Sequence, residues 1–404
     1  MPCPFCGLLC DDLRVAMTGG RATVVANGCA KSRTLFAANA DETAAAQVDG
    51  EPADLATAIA RAARILRAAR RPLMVSAGTD VAGMRVLIEL AERCGASVDH
   101  ANSPALSRNL RVLQNTGWIG TTLTEVRNRA DLLVAVGSGI TGRFPRFFER
   151  CFGHFETMFE VAPRELWFLG GLPDDLPEAL HPVTRSLAVE PVRLAEFFSA
   201  LRALLAGREL NEKVVAGVPI AELFRLLERM RAARYGVLTW TAADLAFPHA
   251  DLAIQSMCEF VTALNAQTRF SVLPLAGNDA DLTAQQVTTW QTGFPVPVDF
   301  AGGAPAPGVA HDDDIDAMVF VCALDAGNTP PRCDFPCIVL GRAGMRPGVC
   351  SVYIPVSVPG LHHAGHLYRA DGVVAMHLRK LAGSALPSAA QALQRIVDAI
   401  GAAP

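Results

Sequence analysis

The run Leu132-Leu133-Val134-Ala135-Val136 constrains the fold more than any other stretch of the chain. Five consecutive apolar residues leave no side for water, so a strand built from them is covered on both faces, the condition of a parallel sheet held between helices. Leu73-Met74-Val75 after Pro72 reads the same way. So do the stretches Gly236 to Trp240, Phe270 to Leu275, Met318 to Cys322 and Cys337 to Leu340. Between them lie segments of helical period: from Asp54 to Arg70 the residues Leu55, Ile59, Ala62 and Leu66 recur on one face with arginines on the other, and Arg85 to Cys94 and most of 194–234 are helical too. This alternation predicts an α/β chain with mostly parallel sheets.

At roughly 150 residues per domain, 404 residues make two or three packed units. The expected boundaries are a cysteine-motif module over 1–48, a first α/β domain over 49–235 that ends in a helical segment, and a second α/β domain with a C-terminal segment over 236–404. Within the first module, Leu13-Arg14-Val15 and Thr23-Val24-Val25 flank a Gly19-Gly20 turn, which predicts a hairpin. The stretch 301–308 is read as a loop. Hydrophobic residues at 51% against 19% charged exclude a disordered chain and suggest surface buried against other subunits. The balance of 36 basic and 40 acidic residues, net -4, leaves no basic field for nucleic acid or a membrane surface. No apolar run has the length of a membrane span, and Asp11, Asp12 and Arg14 interrupt any signal-peptide core, so the cytoplasm is the expected compartment. A P-loop and a G-x-S-x-G elbow are both missing, which disfavours a nucleotide triphosphatase and an α/β-hydrolase.

The strongest chemical signal is Cys3-x2-Cys6-x3-Cys10-x18-Cys29, four of the eleven cysteines within the first 29 residues. In a reducing compartment these are thiols or metal ligands rather than disulfides. Four thiolates can give one sulfur to each iron of a [4Fe-4S] cubane, the same four can hold a tetrahedral zinc, and Cys3 sits near a terminus where chains fray and leave a site incomplete. Weaker signals lie elsewhere. Gly137-Ser138-Gly139-Ile140-Thr141-Gly142 matches the dinucleotide turn, but Pro145 interrupts the following helix and Glu160 is the one acid at hand, so a tight strand-to-loop turn is the reading. His362, His363 and His366 fall within five residues, in a segment whose Pro359, Gly360 and Gly365 predict a loop with unconstrained ring directions. The run 311–316 reads as a solvated turn, and Cys322, Cys333, Cys337 and Cys350 as buried or spectator thiols.

Cys3-Pro4-Phe5-Cys6-Gly7-Leu8-Leu9-Cys10-Asp11-Asp12 with Asn27-Gly28-Cys29 resembles the N-terminal motif of the B subunits of formylmethanofuran dehydrogenases, a family of the molybdopterin oxidoreductase superfamily. Leu123 to Asp131 with Gly137-Ser138 and Pro145-Arg146, then Thr289 to Pro295 with Val298-Asp299-Phe300, then Tyr368-Arg369-x-Asp371-Gly372-Val373 are similar to further landmarks of that family, in order along nearly the whole chain. The resemblance implies a molybdopterin-oxidoreductase-like fold. It also implies a tungsten or molybdenum pterin wired through a [4Fe-4S] cluster for reducing carbon dioxide to formate. The metal's cysteine, followed by a histidine, belongs in a loop just upstream of the segment matched by Gln114 to Gly117. Here the segment Asp99-His100-Ala101-Asn102-Ser103-Pro104-Ala105-Leu106-Ser107 puts Ala105 and Leu106 at those positions, and Ala276 in Pro274-Leu275-Ala276-Gly277 replaces an active-site arginine. A methyl cannot ligate a metal and an isobutyl cannot relay a proton, so no catalytic residue and no pterin metal are expected. These losses resemble the bacterial branch that serves the formyltransferase/hydrolase complex. The resemblance then implies a scaffold among an amidohydrolase-like A subunit, a C subunit and a formyltransferase subunit, with an active tungsten or molybdenum B subunit as the alternative.

Overall fold

The computed structural model describes residues 1–38, 44–153, 157–158 and 164–401; Glu160 lies outside them. The chain divides into two units: one joins Met1–Ser103 to Asn278–Pro404, the other is Pro104–Gly277.

The first unit begins with the hairpin β1 (Arg14–Thr18) and β2 (Arg21–Ala26), turned by Gly19 and Gly20, both at positive φ. Helix α1 (Ala30–Ala37), strands β3 (Ala46–Val48) and β4 (Glu51–Ala53), helix α2 (Leu55–Ala68), β5 (Pro72–Ser76), α3 (Val81–Cys94) and β6 (Ser97–His100) follow. Asp54 and Asp80 cap α2 and α3 by accepting from Thr57 N at 2.7 Å and Gly83 N at 3.0 Å, and Gly95 ends α3 in the left-handed conformation.

Helix α4 (Ser103–Asn115) leads into the second unit, which contains α5 (Leu123–Arg129), β7 (Leu132–Val136), α6 (Ile140–Arg143), α7 (Phe147–Cys151), β8 (Glu165–Leu169), β9 (Thr184–Leu187), α8 (Leu194–Leu205), the small β10 and β11 ladder (Val214–Val215 and Val218–Pro219), α9 (Ile220–Ala232), β12 (Gly236–Thr241), α10 (Ala250–Leu264) and β13 (Phe270–Leu275). Its five-stranded sheet is parallel throughout, in the order β13-β12-β7-β8-β9. Alternation decides which side chain goes to which face. Leu132, Val134 and Val136 join Trp167, Trp240, Phe197, Phe198 and Phe260 in one core, while Phe168 points the other way onto Phe148, with ring centroids 5.6 Å apart. Both faces are dry, as the five-residue apolar run requires.

The chain then returns to the first unit with α11 (Asp281–Thr292), β14 (Val298–Asp299), β15 (Ala306–Pro307), β16 (Ala317–Cys322), β17 (Cys337–Arg342), β18 (Val352–Val356), β19 (Gly365–Tyr368), β20 (Ala375–Leu378) and α12 (Ala389–Gly401). The large sheet of this unit runs β15-β14-β6-β5-β16-β17-β18-β3-β4, parallel from β6 to β18 and antiparallel where β14 and β3 join it. The α/β class with mostly parallel sheets is therefore as read, but the serial boundaries at 49–235 and 236–404 are not. Strand β5 pairs with β16 rather than with β7, while β12 pairs with β7, and β13 with β12, rather than with β16. Part of 301–308 is also ladder rather than loop, since Ala306 and Pro307 pair with Asp299 and Val298.

Candidate functional site

The cysteine module is anchored, not frayed. The Met1 ammonium donates to Leu13 O at 2.7 Å and Asp11 O at 3.1 Å, and Cys3 N donates to Cys10 O at 2.9 Å, closing the loop on itself. Leu9 takes a left-handed φ of 48°, so the loop bends between Cys6 and Cys10. Gly7 lies against the backbone of the fourth landmark: Ala370 N donates to Gly7 O at 2.6 Å, and a Cβ on Gly7 would stand 2.9 Å from Ala370 Cβ. That landmark is braced by an Arg369–Asp371 ion pair at 2.7 Å. Phe5 meets Phe36 of α1 edge to face at 4.9 Å.

Cys3, Cys6 and Cys10 are buried and Cys29 is half-buried. Cys29 caps α1, its Sγ accepting from Ser32 N at 3.4 Å, which sets the fourth sulfur at the positive end of a helix. Burial first, then the neighbouring thiols, push Cys6 up to about 12 and Cys3 well above its ordinary value. Lys31, held 3.9 Å from Asp279 and 4.0 Å from Asp325, pulls Cys6 the other way. Buried thiols whose neighbours resist their ionisation, as at Cys3 and Cys6, are a poor resting place for bare thiolates. By residue type four cysteines suit a cationic cluster, whose charge would favour the ionised form. Among the described residues no three His, Cys, Asp or Glu side chains converge as a ligand group for one metal ion.

The positions that should carry a pterin metal are built differently. Ala105 and Leu106 lie in the first turns of the regular helix α4, not in a loop, and both are buried. Ala105 and Val112 belong to the core formed with Trp240 and Leu132. The polar side chains of α4 are spent on the ends of the adjoining strands: Arg108 donates to Ala242 O at 3.0 Å, Trp240 Nε1 donates to Asn109 Oδ1 at 2.9 Å, and Asn109 Nδ2 donates to Leu275 O at 3.4 Å. Ala276 is buried after β13.

In the second unit the strand order reverses between β7 and β12, the switch point at which doubly wound sheets take phosphate-bearing ligands beyond the strand ends. The turn Gly137-Ser138-Gly139 sits there after β7. A Cβ on Gly139 would collide with the Asp244 carboxylate, which follows β12 and is bonded by Arg143 Nε at 2.9 Å and by Thr241 Oγ1. Arg143 also donates to Gly277 O at 3.3 Å. The place a pyrophosphate would take on the turn thus carries a carboxylate of the chain itself, with its counter-ion. Sequence reading missed Asp244 because its partner is about a hundred residues away.

Beside the first unit's sheet, His100 Nε2 donates to Asp279 O at 3.1 Å and its Nδ1 accepts from Asn102 N at 2.9 Å, while Asp99 accepts from Ser103 Oγ at 3.0 Å and His100 N at 2.7 Å. Burial lowers His100 to about 4 and raises Asp99 to about 6. Between pH 4 and 6.5 the unfolded chain binds the His100 proton more readily, so that group adds stability as pH rises. Asp99 does the reverse between pH 4 and 6, because the folded chain holds its proton. The two slopes offset. Asp99→Asn should expose the histidine limb, with stability rising by about 3 kcal/mol from pH 4 to 6.5 in urea unfolding at stepped pH. An unchanged profile would show that the pair does not titrate as its burial implies.

The remaining sequence signals part ways. His362 Nδ1 accepts from Val358 N at 3.1 Å, His363 Nδ1 lies 2.9 Å from Ser357 Oγ, and His366 is not in a loop but in β19. Cys337 faces Cys333 and Cys350, and burial with those neighbours pushes its thiol up to about 12, in keeping with a spectator. Asp312 to Asp314 form an exposed single turn. No helix among the described residues is long and apolar enough to cross a membrane.

A hairpin module with four cysteines and a mixed nine-stranded sheet in the first unit, with a doubly wound parallel sheet in the second, define an α/β protein with mostly parallel sheets and apolar residues at 105, 106 and 276. The chain belongs to the family of formylmethanofuran dehydrogenase B subunits. It is 30% identical over 416 residues to the B subunit of the tungsten-containing formylmethanofuran dehydrogenase 2 of Methanococcus maripaludis, covering 94% of this chain and 92% of that one. The protein of the same description from Methanocaldococcus jannaschii is 29% identical over 408 residues, with the same coverage. The B subunit of the formyltransferase/hydrolase complex Fhc of Methylorubrum extorquens is 27% identical over 359 residues, covering 82% of this chain and 90% of that one. Among solved structures, the M. extorquens FhcABCD complex with methylofuran contains a chain that matches with a TM-score of 0.74 at 26% identity, covering 88% of this chain and 98% of that one. No family model matches the sequence.

Proposed function

We propose that this chain is a catalytically silent B subunit of a cytoplasmic formyltransferase/hydrolase complex. Formyl groups would pass from formyl-tetrahydromethanopterin to a methanofuran-type carrier and be hydrolysed to formate. That chemistry would reside in the amidohydrolase-like A subunit together with the formyltransferase subunit, the C subunit completing the assembly. The observation that carries the reading is α4: the residues standing for metal ligand and proton relay, Ala105 and Leu106, are buried within a regular helix. The Asp244 carboxylate on the Gly139 turn supports it, since together with Arg143 it fills the place where a cofactor phosphate would approach the backbone of the turn. An active tungsten or molybdenum subunit is the second reading, favoured by the identity with the tungsten-containing relatives and by the intact four-cysteine module.

In that module Cys3, Cys6, Cys10 and Cys29 would hold a [4Fe-4S] cluster, zinc being the alternative. A cluster supplies one-electron transfer when bound; in a silent subunit the same four sulfurs serve to cross-link a hairpin too small to hold itself. Metal analysis of the anaerobically purified complex tests both statements. We expect about four irons per chain with absorption near ~400 nm, and neither tungsten nor molybdenum. Zinc in place of iron would overturn the cluster and leave the scaffold. Stoichiometric tungsten or molybdenum with viologen-linked oxidation of formate or formylmethanofuran would overturn the scaffold itself.

A further inference from the structure

Strands β19 and β20 pair antiparallel in the register Gly365 to Leu378, His366 to His377, Leu367 to Met376. Alternation turns Leu367 and Leu378 inward, where both are buried, and leaves His366 and His377 exposed and directly opposite each other. Their ring centroids are 5.0 Å apart at 54°, and His366 Nε2 stands 3.3 Å from His377 Nδ1. Two imidazole nitrogens bound to one tetrahedral ion at about 2.0–2.1 Å are separated by about 3.3 Å, so this pair already has the bite of a chelate.

We propose that His366 and His377 form a binding site for a borderline divalent transition-metal ion such as Ni(II), Zn(II) or Cu(II), with water completing the coordination. Imidazole suits these ions, whereas magnesium and calcium demand oxygen. The site is built from opposed positions on two hydrogen-bonded strands, so little side-chain freedom is lost when the ion bridges them. Behind it lies the buried carboxylate of Asp80, whose charge reaches His366 and His363 and which is 4.0 Å from His363 Nε2. Asp80 is committed to capping α3 and contributes field rather than a ligand. When both rings are neutral one donates to the other; on metal binding the donor ring takes its other tautomer, its proton moving to the far ring nitrogen, and the ion bridges the two facing nitrogens.

Nickel nitrilotriacetate presents two adjacent open positions, the number this pair can fill. The untagged full chain, or its complex, is applied to that resin and eluted with rising imidazole. Wild type is expected to elute at several-fold higher imidazole than His377→Gln and His366→Gln, each checked for an unchanged thermal midpoint, while His311→Gln, an exposed histidine elsewhere, elutes as wild type does. Equal elution of wild type and the two variants, or loss of retention in His311→Gln alone, would overturn the site. Zn(II) in solution gives the second readout: it should raise the thermal midpoint of wild type more than that of either site variant, and an equal rise in all three would likewise overturn it.

Discussion

Replacing Arg342 by methionine should lower the stability of the chain by about 4 kcal/mol, because it strips hydrogen bonds from three buried or half-buried carbonyls at once. Arg342 ends β17 and is 1% exposed. Its Nη1 donates to Leu324 O at 3.0 Å and its Nη2 to Leu35 O at 2.6 Å and Ala38 O at 2.7 Å. Helix α1 has no basic residue in its last turn, so this distant guanidinium supplies both the missing donors and the positive charge that a helix C-terminus favours. The same group lies 5.6 Å from the centre of the Phe5 ring, tying the cysteine loop and the helix behind Cys29 to the sheet. Burial lowers its pKa while Asp325 and the Cys322 thiol act the other way, and the ordinary value is so high that the group stays charged. Methionine fills comparable volume without a donor. Lysine should recover part of the loss with its single ammonium. Equilibrium urea unfolding measures the change, and hydrogen exchange should show the amides of α1 opening first. A loss below about 1 kcal/mol would mean the helix holds without this tie.

Gly236→Ala should cost about 3 kcal/mol by overpacking. In the ladder Gly236 stands between Leu132 and Phe270. A methyl there would lie 2.8 Å from Phe270 Cζ and closer still to Cδ2 and Cε2. The ring is fully buried within the core of the second unit, so it has nowhere to turn. Alanine's better strand propensity recovers only a few tenths of a kcal/mol. The steric origin has a signature in a double-mutant cycle: Phe270→Leu vacates the space, so the double variant should be clearly more stable than the sum of the singles predicts. Additive losses would point to the backbone rather than the ring.

Local pattern made much of this legible. The apolar runs at β5, β7, β12, β13, β16 and β17 are visible because burial on both faces removes every polar residue from a short stretch, and the Gly19-Gly20 turn is visible because two positive φ angles favour glycine. The cysteine motif is legible for a similar reason, three of its members lying within eight residues. The terminal anchoring of Cys3 was not, since the backbone oxygens that hold Met1 belong to Asp11 and Leu13 and carry no mark in the side-chain pattern. Nor was the helical setting of Ala105 and Leu106, because the preceding Pro104 and the short polar residues around it read as a loop until the core behind α4 is in place.

The sequence by itself determined the α/β class, the position of most strands, the four-thiol module and the apolar residues at 105, 106 and 276, all of which are properties of residues close together in the chain. Only the tertiary structure decided which strands share a sheet, that the first unit is interrupted by the second, that Arg342 caps α1, that Asp244 sits on the Gly139 turn and that His366 faces His377. Those facts are pairings between residues from eleven to about three hundred positions apart. A pairing at that separation is selected by how whole faces pack, and it leaves no period in the chain from which it could be read.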